Sequence, residues 1–204
     1  MIDRIRYLLA VVSVIVLPSG LLFWFVIHPW ARWWRTQGPI RTYAIVLPLV
    51  VGFGSLLSRF RGPLLGADLG TNGPLMAMAL LLYGMMTRLE LQYWRHLSIS
   101  TLVGLPELSA SEHRKGRLLQ DGIYRVVRHP RYLSAGIGTI ANALVINYEG
   151  MYILILCLFP AGYVMLLFEE RELVDRFGEA YRKYQREVPQ IIPRLPRGRS
   201  VRES

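Results

Sequence analysis

The sequence predicts an all-α integral membrane protein. Hydrophobic residues make up 52% of its 204 positions and charged ones only 19%. The apolar residues fall in long blocks with the charges between them, which is how a chain partitions between bilayer and water rather than around one aqueous core. Both observations also exclude a disordered chain, which would be poor in apolar residues and rich in net charge.

Five blocks carry the fold: residues 7–27, 43–57, 74–86, 132–146 and 151–168. They predict about five transmembrane helices. The first is too long for a signal-peptide core and lacks a small-residue cleavage site, so it reads as a span. Several blocks are short. At about 1.5 Å per residue, 15 residues cover only about 23 Å of a hydrocarbon core near 30 Å, so flanking Tyr, Trp and Arg must complete the crossing. Pro18, Pro48 and Pro160 lie inside spans, where neighbouring helices or polar groups such as Ser19 can satisfy the freed carbonyls.

Counting Lys and Arg in the connections gives 20 on one side of the membrane and 4 on the other. The positive-inside rule then puts the loop 88–131 and the tail after residue 168 in the cytoplasm, C-terminus included, with the amino terminus outside. The net charge of +10 belongs to this asymmetry. With no basic stripe along a recognition helix, the expected partners are membrane lipids and not nucleic acid. Cys157 stands alone in an apolar block, which predicts a packing role with no disulfide and no thiolate metal site. The histidines at 28, 96, 113 and 129 show no i,i+4 pairing, so no metal is expected.

The chain divides into N-terminal spans at 1–96, a loop, hairpin and tail core at 97–195 with its hairpin at 132–168, and a basic, disordered tail at 196–204. Ser109-Ala-Ser-Glu112 fits a capping box, and Pro130 suits the first turn of the fourth span, which sets Arg128 and His129 at a helix amino terminus. Leu173, Phe177, Tyr181, Tyr184 and Val188 recur at spacings of three and four and predict one amphipathic C-terminal helix. The tight turn at 147–150 closes the hairpin.

The residues that carry chemistry are the run YRVVRHPRY at 124–132 and Glu169-Glu170-Arg171-Glu172 at the end of the fifth span. A helix amino terminus flanked by Arg128 and Arg131 suits an anion, and nearby carboxylates suit a cation or hydroxyls. Three carboxylates within four residues beside an apolar span repel one another and do nothing for insertion, which points to a site. Three other features read as structure. Asp68-Leu-Gly-Thr-Asn-Gly73 joins two apolar helices with no strand before it, so it is no nucleotide loop. Gly136 and Gly138 permit close helix packing, and the Asn142 amide needs a partner within the bilayer. Trp24, Trp30, Trp33 and Trp34 read as an interfacial belt.

The stretch 116–193, GRLLQDGIYRVVRHPRY followed by EERELVDRFGEAYRKYQREVPQIIP, resembles the isoprenylcysteine carboxyl methyltransferase and phospholipid methyltransferase superfamily. The resemblance implies an S-adenosylmethionine-dependent membrane methyltransferase, its cofactor held on the cytoplasmic side between loop and C-terminal helix. Cofactor contacts then fall on Arg117, Leu118, Leu119, Tyr124, His129, Pro130, Arg131, Tyr132 and Glu169, with Arg128 and Glu170 orienting or deprotonating the acceptor. It further implies a lipophilic small molecule or lipid as substrate, entering laterally from the bilayer. Family members often carry His where this chain has Gly116. Carboxyl-methylating members carry an Arg where it has Met165, and a neutral thioether cannot pair with a carboxylate. The implied acceptor is therefore a lipid amine, a thiol or a hydroxyl. A sterol-reductase-like enzyme using NADPH and a non-catalytic membrane scaffold are the alternatives.

Overall fold

The computed structural model describes residues 1–94 and 118–194. The capping box at 109–112, Arg117, Gly116, His96, His113 and the basic tail lie outside the described residues. Helix α1 (Ile2–Ile27) runs through a 3-10 turn at His28–Trp30 into α2 (Ala31–Arg59), which doubles back along it so that Ser19 meets Gly54 and Phe23 stacks on Tyr43. Short α3 (Arg61–Leu65) leads to α4 (Gly73–Trp94). Helices α5 (Pro130–Ile146) and α6 (Glu149–Phe177) form the predicted hairpin, and α7 (Glu179–Glu187) follows.

Among the described residues, three stretches are long and apolar enough to cross a membrane: Ile2–Arg59, Gly73–Trp94 and Glu149–Phe177. The first comprises α1 and α2. Helix α5 has 17 residues, about 25 Å of rise. The helices outrun the apolar blocks, because a hydropathy reading stops where Arg, Gln and Tyr begin while the backbone hydrogen bonds continue. Helix α6, for example, runs on from its apolar block to Phe177, whereas α2 is two helical pieces joined at a kink, where Gly38 leaves the helical region at φ 75° and ψ 164° just before Pro39. Helix α6 has 29 residues, about 44 Å, longer than a hydrocarbon core of about 30 Å, and its last turns are the polar ones. The site is built there.

Helices α4 and α5 pack through small residues. A Cβ on Gly138 would lie 2.6 Å from the Met86 sulfur, and the Tyr83 hydroxyl donates to the Asn142 amide oxygen at 2.5 Å. Both residues thus serve helix packing, as expected.

At the end away from the site, the buried Arg6 guanidinium donates to the Ile146 carbonyl at 2.8 and 3.1 Å and pairs with Asp68. The loop 68–73 is thereby a receptor for α1. Burial would raise the Asp68 carboxyl, but the Gly70 amide and Arg6 hold it below its usual range. Asn147 takes the left-handed conformation at φ 51°, and the Glu149 amide donates to the Ala67 carbonyl. A Cβ on Gly150 would lie 1.8 Å from the Leu64 carbonyl oxygen, so only glycine lets α3 cross the start of α6.

Three expectations need correction. The amphipathic stripe is not one helix: α6 continues to Phe177, Gly178 turns at φ 57°, and α7 carries Tyr181 and Tyr184. The stripe still packs together, with Leu118 and Val188. Trp34 is buried with Ile27 and Val46, its indole N–H donating to the Val26 carbonyl, whereas Trp30 and Trp33 are exposed as a belt should be. Cys157 is exposed on the outer face of α6 and does not pack inward.

Candidate functional site

Segment 118–125, the start of α5, the last turns of α6 and α7 meet around one cleft. Pro130 opens α5 with its fixed φ, and His129 is the residue at the cap. The Arg128 and His129 amides do not point at open solvent: they donate to the Pro189 and Gln190 carbonyls at 2.9 and 3.0 Å, clipping the segment after α7 onto the loop. On the other side the Tyr184 hydroxyl donates to the Tyr124 carbonyl at 2.5 Å. Loop and C-terminal helix are therefore one structural unit.

Neighbouring carboxylates on α6 do different things, because successive residues point about 100° apart round a helix. Glu170 is buried and saturated. It accepts from Arg128 Nε at 2.8 Å, His129 Nε2 at 3.1 Å, the Tyr181 hydroxyl at 3.3 Å and the Gln185 amide at 3.2 Å. Arg128 completes the knot by donating to the Gln185 and Val188 carbonyls at 2.9 and 2.5 Å. Glu169 instead keeps 27% of its side chain exposed and turns into the cleft, hydrogen-bonded to Tyr132 with His129 Nδ1 at 4.0 Å.

The cleft holds a cavity of about 130 Å³ that opens to solvent. Leu118, Leu119, Tyr124, Arg128, His129, Pro130, Arg131, Tyr132 and Glu169 all line it. Glu170 does not; it lies behind the wall, on a shallow shelf with Arg171 and Gln185. Arg117 is outside the described residues. Leu173, Arg176, Phe177, Tyr181 and Tyr184 line the cleft as well. Arg176 was missed from the sequence, although its spacing of seven from Glu169 places both on one helical face.

Three arginines, Arg128, Arg131 and Arg176, and the partly exposed Glu169 carboxylate thus face a single space walled by aromatic rings, with Arg128 already tied to Glu170. The guanidinium of Arg176 lies 4.9 Å from the Phe177 ring centre. Burial pushes the Tyr124 phenol up to about 12, with Arg131 pulling the other way, and burial also raises Tyr181 and Tyr184. All three are neutral hydrogen-bonding walls at physiological pH. Such a cleft can hold a zwitterionic or cationic small molecule with an aromatic part.

Long apolar helices that end in an amphiphilic cleft define a helical membrane protein. A sequence model of phospholipid methyltransferases matches residues 74–180, more than half of the chain. The chain therefore belongs to the phospholipid methyltransferase family of membrane enzymes. It is 35% identical over 89 residues to a protein-S-isoprenylcysteine O-methyltransferase of Schizosaccharomyces pombe, covering 43% of this chain and 38% of the relative. It is 36% identical over 75 residues to methanethiol S-methyltransferase 2 of Bradyrhizobium diazoefficiens, covering 36% and 27%. Methanethiol S-methyltransferase 1 of the same organism is 33% identical over 78 residues, covering 35% and 24%. The chain thus matches well under half the length of each relative. No solved structure matches.

Proposed function

We propose that the protein transfers a methyl group from S-adenosylmethionine to a hydrophobic acceptor reached from the bilayer. The observation that carries this reading is the meeting of the Glu169 carboxylate with Arg131 and Arg176 inside one aromatic-walled cleft. That donor set fits the methyl donor's mixture of charges. Glu169 suits its sulfonium or ribose hydroxyls, the arginines its carboxylate, and Tyr124, Tyr132, Phe177, Tyr181 and Tyr184 its adenine. The bound donor would supply an already activated methyl group.

What remains for this chain's residues is to align, exclude water and stabilise changing charge. Glu169, turned into the cleft beside Tyr132 and His129, holds a fixed negative charge near the reacting centre. Leu118, Leu119 and Leu173 keep water from the same space. Arg128 and Glu170 act as positioning residues: saturated by one another and by α7, they fix the wall that carries His129 and Tyr181 rather than touching the acceptor.

Met165, at the position where carboxyl-methylating members carry an Arg, offers no charge to a carboxylate, which supports an amine, a thiol or a hydroxyl as acceptor. The relatives named for methanethiol support a thiol within that class. Five spans, with α5 as the shortest, and a cytoplasmic cleft and C-terminus agree with the excess of Arg over that half of the chain. The family match favours this reading over an NADPH-dependent reductase or a silent scaffold. Incubating the purified protein with methyl-labelled S-adenosylmethionine and membrane lipid extract, then with apolar amines, thiols and alcohols, tests it. Label in an apolar product is expected, and none in any acceptor overturns it.

A further inference from the structure

The family match begins at residue 74, so α1, α2 and the turn between them lie outside it. These elements nevertheless reach the site. His28, buried at the α1–α2 turn and stacked on Trp24, places Nδ1 2.9 Å from Glu172 Oε2. Arg35, on the first turns of α2, donates to the other oxygen of Glu172 at 2.5 Å. Glu172 is 7% exposed, and Arg176 lies 3.9 Å from it. This carboxylate of α6 is thus gripped at both oxygens by a part of the chain 137 and 144 residues away.

Glu172 stands three residues beyond Glu169 and one before Leu173, within the turns of α6 that line the cleft. The His28 imidazole also lies within the electrostatic reach of Glu169, beside that of His129. A buried carboxylate held by an imidazole and a guanidinium is a costly way to join two helices, since apolar contacts such as Phe25 on Phe168 would serve. Its directional bonds fix what apolar packing leaves free: the rotation and depth of the end of α6.

We propose that His28 and Arg35 are positioning residues of the methyl-donor site, acting through Glu172 to set Glu169 and Arg176, so that the N-terminal helix pair is part of that site. This rests on the methyl-donor reading above. Charge-assisted hydrogen bonds that orient the end of the helix are realised in donor affinity. Bulk at residue 28 alone does not substitute for a donor at the Nδ1 position.

The test is calorimetric titration of the full chain in detergent with S-adenosylhomocysteine. His28→Phe keeps the stack on Trp24 and loses the donor; His28→Asn keeps an N–H near the Nδ1 position. We expect the Phe variant to bind roughly tenfold more weakly and the Asn variant within about threefold of the parent. Arg35→Ala, which removes a partner from the more exposed side, is expected to weaken binding about fivefold or more. Arg32→Ala, which breaks only the exposed pair with Asp175, is the control and leaves binding unchanged. If His28→Phe binds as tightly as the parent, or Phe and Asn are weakened alike, His28 is a packing residue and the proposal falls. If the His28 variants do not fold, Arg35→Ala decides, and unchanged affinity overturns the proposal. A parent that does not bind S-adenosylhomocysteine sinks the donor reading and this proposal with it, a result distinct from a binding parent with unaffected variants.

Discussion

Replacing Arg128 by alanine isolates the knot that joins loop, α6 and α7. The side chain is 9% exposed and its partner Glu170 11%. It makes two short contacts to Glu170, at 2.8 and 2.6 Å, and caps the Gln185 and Val188 carbonyls. Removing one member of a buried ion pair costs roughly 3–5 kcal/mol. Glu170 would keep His129, Tyr181 and Gln185, so the lower end applies: about 3 kcal/mol, or roughly a hundredfold in an equilibrium. The loss falls on the docking of α7, a nine-residue helix that holds its place through Tyr181, Tyr184 and Val188. Hydrogen–deuterium exchange of the 181–188 amides should therefore accelerate about a hundredfold, with the α4–α5 pair unchanged. Arg128→Lys should not restore protection, because a single ammonium cannot span a carboxylate and two carbonyls in fixed directions. Exchange within twofold of the parent, or full rescue by lysine, would refute the account of Arg128 as a clamp.

Two further perturbations follow from the same geometry. Because the Tyr124 phenol rises from 10 to about 12 on folding, the folded chain keeps a proton that the unfolded chain releases. Stability is complete below pH 10 and is lost as pH climbs from 10 to 12. Tyr124→Phe should make that decline shallower, with Tyr181 and Tyr184 supplying the remainder; unfolding temperatures at pH 9 and 11 check it, and an unaltered slope contradicts it. Gly150→Ala must push apart α3 and the start of α6, at a cost of roughly 1–3 kcal/mol, so its unfolding midpoint should fall by several degrees; an unchanged midpoint would contradict the close crossing at Leu64.

The site was legible in the sequence where its parts announce themselves locally. YRVVRHPRY couples a helix-starting proline to arginines beside an apolar span, and the Glu169–Glu172 run sets carboxylates where insertion gains nothing from them. The spacing of Leu173, Phe177, Tyr181 and Tyr184 survives in the core of the C-terminal unit. It also concealed the break at Gly178, since a step of four from Phe177 to Tyr181 is equally good with or without a positive φ between them. The resemblance separated Glu169 from Glu170, but spacing alone could not, because which of two adjacent carboxylates meets the cleft depends on helix rotation set by distant partners. Arg176 reads as a solvated charge until the helix is known to extend that far. His28 with Glu172 and Arg6 with Ile146 are pairs of 144 and 140 residues' separation, and no periodicity in one chain reports such distances.

Affinity of the Glu169→Gln variant for the methyl donor probes the assignment of the cleft most directly. By calorimetry in detergent, the parent should bind S-adenosylmethionine and S-adenosylhomocysteine but not NADPH. The substitution, which keeps the shape of the side chain and removes its charge, should weaken S-adenosylmethionine binding about tenfold or more. A parent that binds neither compound, or a Gln variant as tight as the parent, would contradict the account.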